Sequence, residues 1–211
     1  MTLAQLRDRR RRGKARLHQL ETRTARVQAR LVQLNRKIER KERLRHLHPL
    51  AMYDDVNLDL IPHDAVAVAG YTGGNYPTYR ELVRRFPEAH HLSIAVASTD
   101  RTAVCLDVEP GDASPAAVPT WVRAAHARGI ARPVIYASVS AMQGILNLLA
   151  GANIPRSAVR VWTAHYTGRP HRCSPASCGY GLRTVADATQ WTDRALGRSL
   201  DESLLVGGFF G

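Results

Sequence analysis

Residues 103–110 read Ala-Val-Cys-Leu-Asp-Val-Glu-Pro, and the fold prediction starts from this stretch. An apolar run, Ala103–Val108, carries a carboxylate near its end and leads through Glu109 into a Pro-Gly-Asp turn that stops a strand. Residues i and i+2 of a strand lie on the same side, so Asp107 and Glu109 are predicted to face the same way. The stretch therefore predicts a buried strand that ends in two neighbouring carboxylates.

Short runs of the same kind recur through the C-terminal part of the chain. The full set is Ala51–Val56, Ala65–Tyr71, His91–Ala97, Ala103–Val108, Pro133–Ala137, Val159–Tyr166, Ala186–Trp191 and Ser203–Val206. Helical patterns lie between several of them, at Tyr79–Phe86, Ala116–Arg128 and Ala141–Leu149. Buried strands that alternate with helices favour a parallel sheet, and eight units favour an α/β fold of the (β/α)8-barrel type. The domain is short for that fold, so we expect some helices to be reduced to loops. An open sheet is the alternative.

Polar side chains close most of these runs. They are Asp54, Asp55, Tyr71, Asp107, Glu109, Tyr136, Ser138, Trp162, His165, Tyr166, Gln190, Trp191 and Asp193. In a (β/α)8 barrel, the active site lies at the C-terminal ends of the strands. Two close carboxylates cannot easily both ionise, so one of them becomes an acid near neutral pH, as glycoside hydrolysis requires. The alternative is that the Asp-x-Glu pair caps the next helix or binds an ion.

Together these residues resemble glycoside hydrolase family 25, the lysozyme family of phage endolysins and bacterial muramidases, and its glycoside-hydrolase-like relatives in actinobacteria and their phages. The resemblance covers about residues 51–206. Its segments, in family order, are Tyr53-Asp54-Asp55-Val56-Asn57, Leu106-Asp107-Val108-Glu109, Pro133-Val134-Ile135-Tyr136, Val161-Trp162-Thr163-Ala164-His165-Tyr166, Gln190-Trp191-Thr192-Asp193 and Leu200-Asp201-Glu202-Ser203.

The resemblance implies a muramidase-like protein directed at cell-wall glycan, with Glu109 as general acid. Asp107 would orient or stabilise the N-acetyl group, and Asp54 or Asp55 would complete the acidic cluster. The expected substrate-binding residues are Tyr71, Tyr136, Trp162, His165, Tyr166, Gln190, Trp191 and Asp201. Trp162 and Trp191 could instead be core residues.

One departure from the family supports a different function. The second run ends in Gly70-Tyr71-Thr72-Gly73-Gly74, where the lysozymes carry a Glu-Gly motif. The alternative is a non-catalytic virion or tail component that uses the same barrel to bind cell-wall glycan.

The N-terminal segment has a different pattern. Residues 14–47 contain no Gly or Pro, and Leu17, Leu20, Thr24, Val27, Leu31, Leu34 and Ile38 follow heptad a and d spacing. Gly13 is expected to weaken the helix before it, and Pro49 to end it. We therefore expect residues 1–49 to form a long coiled-coil helix and residues 50–211 to form the barrel domain. The helix should project from the barrel and associate with a second copy or with another protein.

The charge is also distributed unevenly along the chain. The formal net charge is +12, and residues 1–48 contain 16 of the 30 Lys and Arg residues but 4 of the 18 Asp and Glu residues. The barrel domain is thus nearly neutral, and any polyanion contact is expected at Arg9–Arg12. No apolar stretch is long enough to span a membrane, and no apolar segment follows Arg12 as in a Sec signal peptide. We expect an extracellular or virion-associated protein that leaves the cell by another route.

The chain has three cysteines. Cys173 and Cys178 lie in a Pro- and Ser-rich loop and are expected to form a disulfide, which suits a protein that acts outside the cytosol. A zinc site with His165 and His171, or two free thiols, are the alternatives. Cys105 is expected to be a buried apolar residue. We expect no cofactor and no metal.

Overall fold

The computed structural model describes residues 2–47 and 49–211, and their side chains except those of residues 15 and 38–47. The chain forms two compact units, Met1–Arg45 and His46–Gly211. The first unit consists of one helix, α1, Leu3–Leu47. The second is a barrel domain with eight strands and three α-helices in the described residues. No helix of the described chain is long and apolar enough to cross a membrane.

Helix α1 begins at Leu3 and continues without interruption through Gly13. Thr2 and Gln5 form a capping box: the Thr2 N–H donates to Gln5 Oε1 at 2.7 Å, and the Gln5 N–H donates to Thr2 Oγ1 at 3.3 Å. A single glycine costs a helix about 1 kcal/mol, which this cap offsets.

The apolar seam of α1 is exposed in the single chain. Leu17, Leu20, Val27, Leu31 and Leu34 are each between 52% and 58% exposed. Ile38, the last residue of the predicted seam, lies outside the described side chains.

Each predicted apolar run contains or overlaps a strand. The strands are β1 (Leu50–Asp54), β2 (Ala67–Tyr71), β3 (His90–Ala95), β4 (Cys105–Asp107), β5 (Val134–Ser138), β6 (Arg160–Ala164), β7 (Ala188–Thr192) and β8 (Asp201–Leu205). The helices are α2 (Tyr79–Arg85), α3 (Val118–Ala127) and α4 (Val139–Gly151). Short 3-10 turns lie at Leu58–Leu60, Pro115–Ala117, Arg156–Ala158 and Ala195–Gly197.

The strands close into a barrel in sequence order. Strands β1 to β7 run parallel to their neighbours, whereas β8 is antiparallel to both β7 and β1. A closed barrel is therefore confirmed and the open sheet is excluded, but a complete (β/α)8 arrangement is not what the chain forms. Residues 193–200 are too few for a crossover helix, so the last strand returns antiparallel.

The length of the connection explains the missing helix between β3 and β4 but not the one between β6 and β7. The α-helices lie between β2 and β3, between β4 and β5, and between β5 and β6. Residues 96–104 are too short for a helix and its turns, and residues 165–187 contain no helix or strand.

The barrel interior is filled by alternate residues of the strands. Met52, Ile94, Cys105, Val134 and Trp162 belong to one buried cluster inside it. A second cluster packs α3 and α4 against the outer face of the strands. This alternation fixes which side chains can reach the barrel mouth.

Candidate active site

One end of the barrel collects polar side chains. It contains the last residues of β1 to β7 and, because β8 is antiparallel, the first residue of β8. The interior-facing residues at this end include Asp54, Tyr71, Asp107, Gln190 and Asp201. This group, together with Glu109, is called the acidic mouth below.

Asp54 and Asp201 form the first part of the acidic mouth. They are register partners on β1 and β8. Asp54 is 5% exposed, and its Oδ1 has no hydrogen-bond partner among the described residues. Burial, followed by the charges of Asp201 and Asp107, raises the pKa of Asp54 well above its usual value. Burial raises the pKa of Asp201 to about 6, against a hydrogen bond from Gln190 that lowers it.

Asp107 and Glu109 form the second part. Asp107 ends β4 and is 2% exposed, whereas Glu109 follows the strand and is half-buried. Burial, followed by the charges of Glu109 and Asp112, raises the pKa of Asp107 to about 8. Burial and then Asp112 also raise the pKa of Glu109. The buried Asp107 carboxyl therefore keeps its proton at neutral pH, while Glu109 is the member of the pair that solvent reaches.

A hydrogen-bonded wall closes one side of the mouth. The Tyr136 hydroxyl donates to Gln190 Oε1, and the Gln190 side chain bonds in turn to Asp201. The hydroxyls of Tyr136 and Tyr166 are also hydrogen-bonded, and burial raises the pKa of Tyr166 to about 12. Tyr166 is 55% exposed, so it can present its ring to a ligand.

Tyr71 lies against the carboxyls from the β2 side. Burial, followed by the charges of Asp54, Asp107 and Asp201, raises the pKa of its phenol. The phenol therefore stays protonated and can donate a hydrogen bond.

A groove adjoins the mouth beside Tyr71. It has a volume of about 410 Å³, and its walls include Tyr71, Tyr76, Gly74, Val96 and Asp112. Gly74 has φ +78°, and a Cβ there would approach Val96 Cγ2 to 2.9 Å. Only glycine fits both the conformation and the space. Tyr76 is 62% exposed and offers an aromatic face in this groove.

The structure places the other predicted site residues differently. Asp55 is only partly buried, and its Oδ1 accepts from the Asn57 N–H at 2.6 Å, so Asp54 is the inward member of that pair. Trp162 is 1% exposed; it packs on Tyr136 and donates to Ser203 Oγ at 2.9 Å. Its ring is thus one layer below the mouth and supports Tyr136 from there.

Trp191 and His165 adjoin Gln190, but in the described residues no hydrogen bond or ring contact links their side chains to the carboxyls. Trp191 sits at an irregularity between Gln190 and Thr192, and its buried Nε1 has no hydrogen-bond partner among the described residues. His165 follows β6, and its Nδ1 lies 3.0 Å from His171 Nε2 and 3.1 Å from Cys178 Sγ. Burial and then His171 lower its pKa. A disulfide joins Cys173 and Cys178, whose Cα atoms are 5.3 Å apart. Cys105 is buried and free.

Two contributors to the mouth were not predicted. Asp112 raises the pKa of both Asp107 and Glu109, but in the sequence it reads as an ordinary turn residue after Pro110-Gly111. Ser203 holds the Trp162 indole, and nothing in its sequence context indicates that role. The proximity of Asp112 to the Asp-x-Glu pair was the available signal for the first.

The fold and the site define a closed eight-stranded barrel protein with an acidic cluster at one mouth. No family model matches the chain, and no curated protein matches it. Among solved structures, the chain is similar to an uncharacterized B. stearothermophilus protein known from a 1.07 Å crystal structure. The identity is 15%, the match covers 74% of this chain and 95% of that chain, and the TM-score is 0.49. This likeness carries no argument about function.

Proposed function

We propose that the barrel domain is a muramidase-like glycoside hydrolase that acts on peptidoglycan, with Glu109 as its general acid. The observation that carries the proposal is the convergence of Asp54, Asp107, Glu109 and Asp201 in one mouth, where burial raises the pKa of each. Glycoside hydrolysis needs one carboxyl that is protonated near neutral pH and a second that is ionised. This cluster supplies both.

The four carboxyl groups can have different roles in the reaction. Glu109 is accessible and close to Asp107, so it can protonate a leaving glycosidic oxygen. Asp107 keeps its proton at pH 7 and can donate a hydrogen bond to an acetamido oxygen of the substrate. Asp201, with a pKa of about 6, is ionised at pH 7 and can stabilise positive charge that develops on the sugar ring. Burial and the charge of Asp201 favour the protonated form of Asp54 by raising its pKa.

The test is the clearing of a peptidoglycan suspension by the full-length chain. Glu109→Gln should lower the clearing rate by about 10²–10⁴-fold, because the amide cannot donate the proton. Glu88→Gln is the matched control: it makes the same change at an exposed turn between α2 and β3 and should clear at the wild-type rate. Equal rates for wild type and Glu109→Gln would refute the assignment of the acid.

A second function is favoured by the end of β2. The residue that reaches the carboxyls from this strand is Tyr71, a phenol that stays protonated, where the lysozymes carry a glutamate. A barrel that binds glycan without cutting it would have such a mouth. In that case wild type and Glu109→Gln would both sediment with peptidoglycan, and neither would clear it.

The same proposal extends to architecture and location. The parallel, sequential order of β1 to β7 supports a reduced form of the (β/α)8 barrel. The exposed seam of α1 supports a coiled coil with a second copy or another protein, and Arg9–Arg12 could contact a polyanion. An extracellular or virion-associated setting follows from a peptidoglycan substrate.

A further inference from the structure

Four potential metal ligands meet in the loop between β6 and β7. They are His165 Nδ1, His171 Nε2, Cys173 Sγ and Cys178 Sγ, and all four atoms lie within 4.8 Å of one another. Cys173 is fully buried and Cys178 nearly so, while the two histidines are partly buried. The cluster lies in residues 165–187, outside the acidic mouth.

The spacing of these atoms fits a tetrahedral zinc ion. Zn–N bonds of about 2.0–2.1 Å and Zn–S bonds of about 2.3 Å place neighbouring ligand atoms roughly 3.3–3.8 Å apart. His165 Nδ1 lies 3.0 Å from His171 Nε2, 3.1 Å from Cys178 Sγ and 3.6 Å from Cys173 Sγ. His171 Nε2 lies 3.8 Å from Cys173 Sγ. The two distances to Cys173 Sγ lie within this range, and the other two are 0.2–0.3 Å shorter than its lower end. The two sulfurs, joined as a disulfide, are closer than a shared metal would hold them and would have to separate.

The ring nitrogen of His171 that is not in the cluster, Nδ1, is hydrogen-bonded, as it usually is in a histidine that binds a metal. His171 Nδ1 lies 2.9 Å from the Arg169 carbonyl oxygen and 3.2 Å from Thr167 Oγ1. A carbonyl only accepts, so Nδ1 carries the proton and Nε2 presents its lone pair to the cluster. In the disulfide form His165 Nδ1–H donates to this Nε2 at 3.0 Å, and in the thiol form both nitrogens would face the sulfurs as ligands.

The loop itself needs a cross-link. Residues 165–187 contain no helix or strand, and structureless loops beyond about 12–15 residues are uncommon in compact domains. The backbone of Cys173 is already anchored, since its N–H donates to Thr189 Oγ1 on β7 at 2.8 Å. The loop also begins next to Tyr166 at the barrel mouth.

We propose that His165, His171, Cys173 and Cys178 form a structural zinc site whenever the two cysteines are thiols. A newly made chain carries thiols, so zinc binding needs no reductant: each thiol loses a proton and the thiolates ligate Zn²⁺. The disulfide is the metal-free, oxidised alternative, because it uses both sulfurs. Four protein ligands leave no open position, so the ion would fix the loop and the position of Tyr166, with no part in catalysis.

The test uses the full-length chain reduced with a phosphine, which becomes the phosphine oxide while water supplies the oxygen and the two protons for the thiols. Thiol titration first verifies that Cys173 and Cys178 are reduced. We expect one zinc per chain by elemental analysis, and with Co²⁺ instead a thiolate-to-cobalt charge-transfer band with tetrahedral d–d absorption. A fully reduced wild-type chain that binds under a tenth of an equivalent of either metal would overturn the proposal.

Variants identify the ligands. His171→Ala and Cys178→Ser should each lower the metal content to under a tenth of an equivalent, whereas His63→Ala, at an exposed position, should retain one. Full metal binding by His171→Ala would overturn the histidine ligation. If a variant fails to fold, the cobalt spectrum of the wild type still decides, since it reports thiolate and tetrahedral ligation directly. Oxidation with a small disulfide should release one equivalent of metal. Retention of the metal would contradict the claim that the disulfide and the metal site exclude each other.

Discussion

At the scale of single residues, burial sets the protonation of the acidic mouth. Asp107 is 2% exposed and Glu109 is half-buried, although only two positions separate them. Their shared side could be predicted from strand periodicity. The depth of Asp107 could not, because it depends on the packing of neighbouring strands around it. The same packing buries Trp162, for which a substrate-binding position, implied by the family resemblance, and a core position were both open.

The raised pKa of Asp107 predicts how stability depends on pH. The folded value is about 8 and the usual value is 3.8, so the folded state binds more protons between these values. Stability is therefore highest below about pH 4 for this group and is lost as the pH rises toward 8, by up to about 1.4 kcal/mol per pH unit. Asp107→Asn should flatten that slope in urea unfolding between pH 5 and 8. Asp59→Asn, at an exposed carboxylate, is the control. An equal slope in Asp107→Asn and wild type would show that Asp107 is not the titrating group.

Tyr76 provides a test of the groove beside the mouth. Its ring is 62% exposed on a wall that also contains Tyr71. If glycan occupies this groove, Tyr76→Ala should weaken sedimentation with peptidoglycan by about threefold to tenfold, a loss of roughly 0.5–1.5 kcal/mol. Tyr180→Ala removes an equally exposed ring, 60%, from another loop and should bind as wild type does. Unchanged binding by Tyr76→Ala would place the glycan elsewhere.

At the scale of elements, the strands were the most predictable feature. Apolar runs of strand length identify β1 to β8 because each strand is buried on at least one face. The (β/α)8 prediction made β8 parallel, which was wrong, because hydrophobic periodicity does not reveal the direction of a strand. The short connection after β7 was the physical clue, and it brings Asp201 next to Asp54. The cap that starts α1 at Leu3 was not predicted, although Thr2 and Gln5 have the spacing of a capping box.

Helix α1 predicts association through its seam. Leu31 and Val32 are adjacent and almost equally exposed, 53% and 51%, but only Leu31 lies on the heptad a and d spacing. Burial of a leucine contributes about 1.5–3 kcal/mol, so Leu31→Asp should weaken self-association at least tenfold in analytical ultracentrifugation.

Val32→Asp introduces the same charge off the seam and should associate as the wild type does. Equal weakening by both variants would show that charge, not the seam, governs association. A full-length chain that is monomeric at high concentration would require a foreign partner for α1.

At the scale of the whole molecule, the chain separates a basic helix from a nearly neutral barrel domain. The excess charge falls in residues 1–48, and the contacts divide the chain near the same place, at Arg45. Composition alone could predict this division, because charge and hydrophobic period change together. Composition alone could not predict that the carboxyls meet at one mouth. Their meeting depends on a closed barrel, which brings the ends of distant strands to one place.

The most direct measurement is the release of new reducing ends from purified peptidoglycan by full-length wild type and by Glu109→Gln, with sedimentation of both on the same material. A general acid at Glu109 predicts reducing ends from wild type, at least about a hundredfold fewer from the variant, and equal sedimentation. Equal release by the two proteins, or no release by the wild type, would contradict a hydrolase that uses Glu109.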